Sequence, residues 1–179
     1  MISDEQLAQG IQQGNEADLR WLTERHNGPL LGFLWRMTNG DRPLAEDLVQ
    51  ETMIRMLRGI KGYDGQRPFK PWLYQIAVNV TRDYYKQAEM RHTQSANGAM
   101  ELVMAAQRPE TAVIAQETMN EAVTAVHHLP PQQREAILLR YSEGMALADI
   151  ATILDVPVGT VKSRLSLGLK QLRQTLAEH

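Results

Sequence analysis

Thr160, Lys162, Ser163 and Arg164 sit close together in the stretch VPVGTVKSRL (156–165). Together they offer hydroxyl donors and two positive charges within five residues. Such groups form hydrogen bonds to base edges and ion pairs with phosphates. Arg can address guanine bidentately, with ~1–3 kcal/mol of discrimination against the wrong base. Lys more often positions a protein on phosphate. Val161, Leu165, Leu169 and Leu172 follow at spacings of four, four and three, which puts them on one helix face. The polar group falls off that stripe. Apolar residues therefore hold the helix to its neighbours while its outer face offers donors and charge, and a major groove admits a helix of that kind.

The elements that must position these groups are legible upstream. Ile150, Ile153 and Leu154 mark a short helix, and Asp155-Val156-Pro157 breaks it. Proline is tolerated at a helix start, so a second helix begins just after Pro157. Pro130-Pro131 starts an earlier helix that Gly144 ends, completing a helix-turn-helix region over 129–172.

The rest of the chain is patterned for helices as well. Ser3 with Gln6 forms a capping box. Asn15 caps a long segment containing Trp21, Leu22, Leu30, Leu31, Phe33 and Leu34. Asp41 is the N-cap of a third helix with Pro43 in its first turn, and Val49, Met53, Met56, Leu57 and Ile60 line its inner face. Residues 61–68 form a loop, and a fourth helix runs from about Phe69 to about Met90. Periodicity is lost over 91–109, which predicts a flexible linker. As a coil those residues span ~25 Å r.m.s. and roughly 60 Å at full stretch. The fold class is therefore all-α, with two small helical domains (1–90 and 110–179) and the helix-turn-helix in the second.

Two further groups could bind. Gln50 and Glu51 lie three and four residues after Asp47, so the three share a helix face. That spacing fits an acidic docking face and equally a solvated face with Asp47 near the helix N-terminus. Residues 55–91 carry eight Lys/Arg against three Asp/Glu, a net of +5, whereas residues 1–54 carry a net of −5. Six of the ten aromatics fall in 63–85. Aromatics stack on unpaired bases at ~1–3 kcal/mol each while cations follow the backbone. Tyr63, in the loop beside Lys61, is the better candidate for base contact, whereas Trp72, four residues from Ile76, reads as core. Arg82 and Lys86 are an i, i+4 pair suited to phosphate.

The blocks DLVQETMIRML (47–57) and FKPWLYQIAVNVTRDYYK (69–86), followed by LPPQQREAILLRY (129–141) and VPVGTVKSRL, resemble in this order the two characteristic regions of bacterial RNA polymerase sigma factors of the extracytoplasmic-function (ECF) group. The resemblance covers about 1–90 and 110–175. It implies a first domain that contacts the β′ clamp helices of core RNA polymerase through Asp47, Gln50 and Glu51. The same domain would contact the melted −10 element of promoter DNA through Lys61, Tyr63, Phe69, Asn79, Arg82 and Lys86. It implies a second domain that sits near the β flap and reads the duplex −35 element with Thr160, Lys162, Ser163 and Arg164. It also implies an anti-sigma factor as a further partner. The chain departs from the pattern at Ser166-Leu167-Gly168, where members commonly carry basic residues and an alanine, and at Lys70-Pro71.

The totals bound the alternatives. The net charge of −2 is low for a protein that binds DNA tightly by itself, so polymerase supplies part of the attraction. A dimeric helix-turn-helix repressor accounts for 129–172 but leaves 47–86 without a role. Absence of Cys excludes disulfides and thiolate metal sites. His127-His128 lacks a third metal ligand nearby and reads as a cation at a helix C-terminus, and His26 reads as isolated. No phosphate-cradling glycine loop or nucleophile motif occurs, so neither an enzyme nor a cofactor is expected. The polar, acidic N-terminus does not read as a signal peptide and no apolar run reaches the length of a membrane span, so a soluble cytoplasmic protein without membrane insertion is expected.

Overall fold

The computed structural model describes residues 1–94 and 115–178, and side chains outside 115–120. All regular structure among the described residues is helical. The first domain comprises α1 (Asp4–Gln12), α2 (Glu16–Met37), α3 (Arg42–Gly59), a short 3₁₀ turn (Ile60–Gly62) and α4 (Phe69–Gln94). The second comprises α5 (Ala115–His127), α6 (Pro131–Ile137), a π turn (Leu138–Ser142), α7 (Leu147–Leu154) and α8 (Val158–Ala177).

Helix starts follow local hydrogen-bond chemistry. Ser3 Oγ accepts from Gln6 N at 3.2 Å while Gln6 Oε1 accepts from Ser3 N at 2.9 Å, closing a capping box on α1. Asn15 Oδ1 accepts from Ala17 N at 3.0 Å and Asp41 Oδ1 from Leu44 N at 3.0 Å, capping α2 and α3. α4 continues to Gln94, past the end expected at Met90 and into the stretch expected to link the domains; residues 95–109, and the helical start expected over 110–114, lie outside the described residues. The helix expected to run from Pro131 toward Gly144 loosens into the π turn after Ile137.

Leu22, Leu30, Phe33, Leu34, Leu48, Met56, Leu73, Tyr74 and Val78 fill the first core. Three buried hydroxyls, of Thr38, Thr52 and Thr81, donate to the carbonyl four residues earlier on their own helices. His26 is not isolated: it is buried, its Nε2 lies 2.8 Å from Asp4 Oδ2, and its ring packs on Phe69. Leu57, expected on the inner face of α3, is 43% exposed, because Thr52 and Met56 take the inward positions of the helix's last turns and Ile60 the one just past its end. The second core gathers Leu129, Ile137, Leu139, Ile150, Ile153, Leu154, Val161 and Leu165.

Candidate nucleic-acid interface

The turn between α7 and α8 is set by one unusual backbone angle. Asp155 caps α7 in the left-handed region with φ of 54°. Asp tolerates that region better than most residues because its short polar side chain can bond locally. Pro157 is extended, and Thr160 N and Val161 N then bond to its carbonyl at 3.0 and 3.2 Å, opening α8. Val161 and Leu165 face the core while Lys162 and Ser163 are exposed. Ser163 Oγ donates to Gly159 O at 3.1 Å, which leaves its lone pairs free to accept. Thr160 and Arg164 sit half-buried at the edges of this face, and one Arg164 guanidinium nitrogen is buried without a hydrogen-bond partner.

Gly168 is accounted for by packing. A Cβ built there would lie 2.9 Å from Ile137 Cγ1 and 3.3 Å from Cδ1. The glycine lets α8 approach α6 closely, and it faces the core, away from Ser166 and Leu167 on the solvent side. The departure at position 168 is therefore a feature of helix crossing and removes no phosphate contact.

On α4 and its preceding loop the expected groups divide. Lys61, Asn79 and Lys86 are exposed. Tyr63 is 6% exposed and Phe69 is fully buried, so neither ring is open to stack on a base in this arrangement. Tyr63 packs at 4.8 Å from Trp72 and 5.5 Å from Phe69, and its hydroxyl donates to Arg67 O. Burial pushes that phenol up to about 12. The loop folds inward because Gln12 Nε2 donates to both Ile60 O at 2.7 Å and Tyr63 O at 2.9 Å. Trp72 packs against the core, as its spacing suggested. The exposed ring on this side of α4 is Tyr85, edge-on to Tyr84 at 5.4 Å.

On α3, Asp47 and Gln50 are exposed. Glu51 is half-buried, pairs with Arg55 at 2.7 Å, and Arg55 in turn reaches Asp83 of α4 at 2.6 Å. Ile54 and Leu57 are 45% and 43% exposed and extend the same side of the helix with apolar surface. That side is thus acidic at one end and apolar at the other.

The two domains meet along α4. Arg82 is held by Glu135 of α6 through Nε at 3.0 Å and Nη2 at 2.6 Å. Tyr74 donates to Glu143 Oε2 at 2.7 Å, and Lys70 donates to the Glu143 carbonyl at 2.9 Å. Buried Arg134 donates to Leu129 O at 3.1 Å within the second domain and to Met37 O of α2 at 3.2 Å across the seam. His127 packs edge-on against Trp35 of α2. The role of His127 as a helix-end cation is corrected here: desolvation, helped by the Arg134 charge, pulls it down to about 4, so it is neutral at ordinary pH. Among the described residues, no cluster of three or more His, Cys, Asp or Glu could hold a metal, and no helix is long and apolar enough to cross a membrane.

Comparison with known proteins identifies the family. Residues 22–91 match the family model for sigma-70 region 2, and residues 119–172 match that for sigma-70, region 4. The ECF RNA polymerase sigma factor SigW of Bacillus subtilis is 32% identical over 176 residues, covering 94% of each chain. This chain belongs to the ECF RNA polymerase sigma factors. The ECF RNA polymerase sigma-E factor of Haemophilus influenzae is 32% identical over 92% of this chain and 90% of its own. The sigma factor RpoE of Bartonella quintana, solved with the anti-sigma factor NepR, superposes with a TM-score of 0.72 at 25% identity, over 89% of this chain and 97% of that one. CnrH, solved with the cytosolic domain of CnrY, shares the fold with a TM-score of 0.74 at 23% identity, over 98% and 97% of the two chains.

As a sigma factor the protein directs promoter recognition and transcription initiation. Its region 2 match contains the acidic face of α3 and the cations of α4, and its region 4 match contains the turn and the start of α8. The residues that sequence reasoning missed are those of the seam: Lys70, Tyr74, Arg134, Glu135 and Glu143. Nothing in the sequence singles them out: Arg134 and Glu135 follow Gln132 and Gln133 in a run that reads as an ordinary solvated helix turn before the apolar residues 136–139.

Proposed function

We propose that the sigma factor docks on core RNA polymerase through Asp47, Gln50 and Glu51, with exposed Ile54 and Leu57 extending the contact. A basic coiled-coil surface, such as the β′ clamp helices, complements the acidic end of that face, and its apolar side chains complement Ile54. Lys61, Asn79 and Lys86 contact the melted −10 element, with Arg82 joining them once it leaves Glu135. Tyr85 supplies the exposed ring on that side, while Tyr63 and Phe69 shape the loop from within. Lys162, Ser163, Arg164 and Thr160 read the −35 element in the major groove, near the β flap. The domains behind these roles are 1–90 and 110–179, joined by 91–109.

The single observation that carries this reading is the outward pair Lys162–Ser163 on a helix whose other side, Val161 and Leu165, is locked into the core. The mechanism uses binding energy alone and no catalytic group. Opening a duplex costs a few kcal/mol per extruded base, and contacts made only to the unpaired strand offset that cost. An anti-sigma protein, of the kind bound to RpoE of Bartonella quintana, is the natural antagonist. The site of action is the cytoplasm, where polymerase and chromosome meet. Runoff transcription with core polymerase on genomic fragments tests the reading. Discrete transcripts dependent on this chain are expected, and a chain that neither binds core nor alters initiation on any template refutes it.

A further inference from the structure

The seam between the domains is held by charge, and the charges are not arbitrary. The second domain contributes two carboxylates, Glu135 and Glu143, whose side chains are only 5% and 7% exposed. The first domain contributes the cations, Arg82 and Lys70, both on α4. Glu135 engages two different nitrogens of the Arg82 guanidinium with its two oxygens, the planar fork that the same side chain offers to a phosphate. Glu143 takes the Tyr74 hydroxyl, and its carboxylate lies 3.5 Å from the Lys70 ammonium. Arg82 and Lys70 are twelve residues apart, ~18 Å along a helix. The second domain thus engages two separate cations of α4, one near its start and one past its middle.

The closed arrangement is incompatible with the promoter-bound one. The −35 and −10 elements lie roughly 25 base pairs apart, ~85 Å along a duplex at ~3.4 Å per pair. Domains joined by a 2.6 Å ion pair cannot sit on both. Opening is therefore obligatory, and opening releases the very cations suited to a nucleic-acid backbone.

We infer that Glu135 and Glu143 are phosphate surrogates: they hold the free sigma factor closed and occupy Arg82 and Lys70 until a nucleic-acid backbone, presented on polymerase, displaces them. The inference rests on the nucleic-acid role of the α4 face proposed above. It explains why two nearly buried carboxylates stand in a helix-turn-helix domain whose other surface is cationic. It also makes affinity for nucleic acid low in the free chain and high in the assembled enzyme without any change in the contacting residues, because only the competing carboxylates leave.

The test uses the full chain without polymerase. Glu135→Gln with Glu143→Gln removes both negative charges at nearly constant volume, and far-UV circular dichroism checks that the helices persist. Small-angle scattering reads the radius of gyration, and fluorescence anisotropy reads binding of a labelled oligo(dT). The double variant is expected to expand and to bind oligo(dT) at least tenfold more tightly. Its log–log salt slope should steepen by roughly 1, since freed cations release additional counterions at ~0.7 per phosphate on a single strand. Unchanged dimensions, or expansion without tighter binding, overturn the inference. Exchanging the pair, Arg82→Glu with Glu135→Arg, is expected to restore the compact radius that Glu135→Arg alone loses; failure to reclose also overturns it. None of these readings needs a promoter, so failure of the transcription assay is distinguished from failure of the latch.

Discussion

Replacing Gly168 by Ala probes the α6–α8 crossing, and two opposing effects decide its sign. Ala is favoured over Gly in a helix interior by ~1 kcal/mol. Against that, the added methyl would lie 2.9 Å from Ile137 Cγ1 and 3.3 Å from its Cδ1. The first atom is the γ-methylene beside the Ile137 branch point rather than the end of a flexible side chain, so relieving the contact is not cheap. Overpacking of that kind costs ~1–3 kcal/mol. The net expectation is destabilisation of ~1 kcal/mol, or ~2–4 °C in Tm for a chain of this size. Ile137→Ala alone should cost ~2–5 kcal/mol through the void it leaves. In that background Gly168→Ala meets no Cγ1, so the helix preference acts unopposed and the same substitution becomes stabilising by ~1 kcal/mol. The coupling between the two sites is then ~2 kcal/mol, read from a double-mutant cycle of urea denaturation curves. If Gly168→Ala stabilises the parent protein by the full helix preference, the close crossing does not exclude a methyl group and the explanation of this glycine fails.

Three further outcomes are expected. Asp47→Lys, at an exposed site with no ion pair among the described residues, should leave stability within ~0.5 kcal/mol while lowering core-polymerase affinity at least tenfold; unchanged affinity in a competition assay removes α3 as the docking face. Lys162→Ala should weaken holoenzyme binding uniformly across promoter sequences and reduce the salt slope by about 1, whereas Arg164→Ala should relax preference at one base pair by ~1–3 kcal/mol; a substitution panel at each position of the −35 element separates the two. His127 takes up its proton at about 4 in the folded chain instead of 6.5, so the unfolded chain binds more protons between those values. Stability is full above 6.5 and falls as pH drops toward 4, and His127→Gln should flatten that fall in denaturation curves taken across the window.

What the sequence revealed follows the range of the interactions. The capping residues Ser3, Asn15 and Asp41 act on backbone groups two or three positions away, so type and spacing suffice to place them. The same holds for Asp155 and Pro157, which end one helix and start the next within three residues. The fate of Tyr63 was hidden because it depends on Gln12, 51 residues earlier, whose amide pulls the loop inward. Glu135 and Arg82 are 53 residues apart, and Glu143 and Tyr74 are 69 apart, so no local pattern joins them. His127 carried a helix-end signature, but Trp35 and Arg134 around it come from other elements and reverse its charge state. Basic residues announce that a surface suits nucleic acid; only the fold tells which of them are already occupied.

The chain's three tryptophans, Trp21, Trp35 and Trp72, all belong to the first domain, and Trp35 touches His127 of the second. The molecule therefore carries its own optical gauge. Indole emission follows the packing of one half of the protein, and the component from Trp35 is sensitive to whether an imidazole edge lies against it. Separation of the halves should change quantum yield and emission wavelength with no dye attached, giving stopped-flow access to the timing of encounter with polymerase.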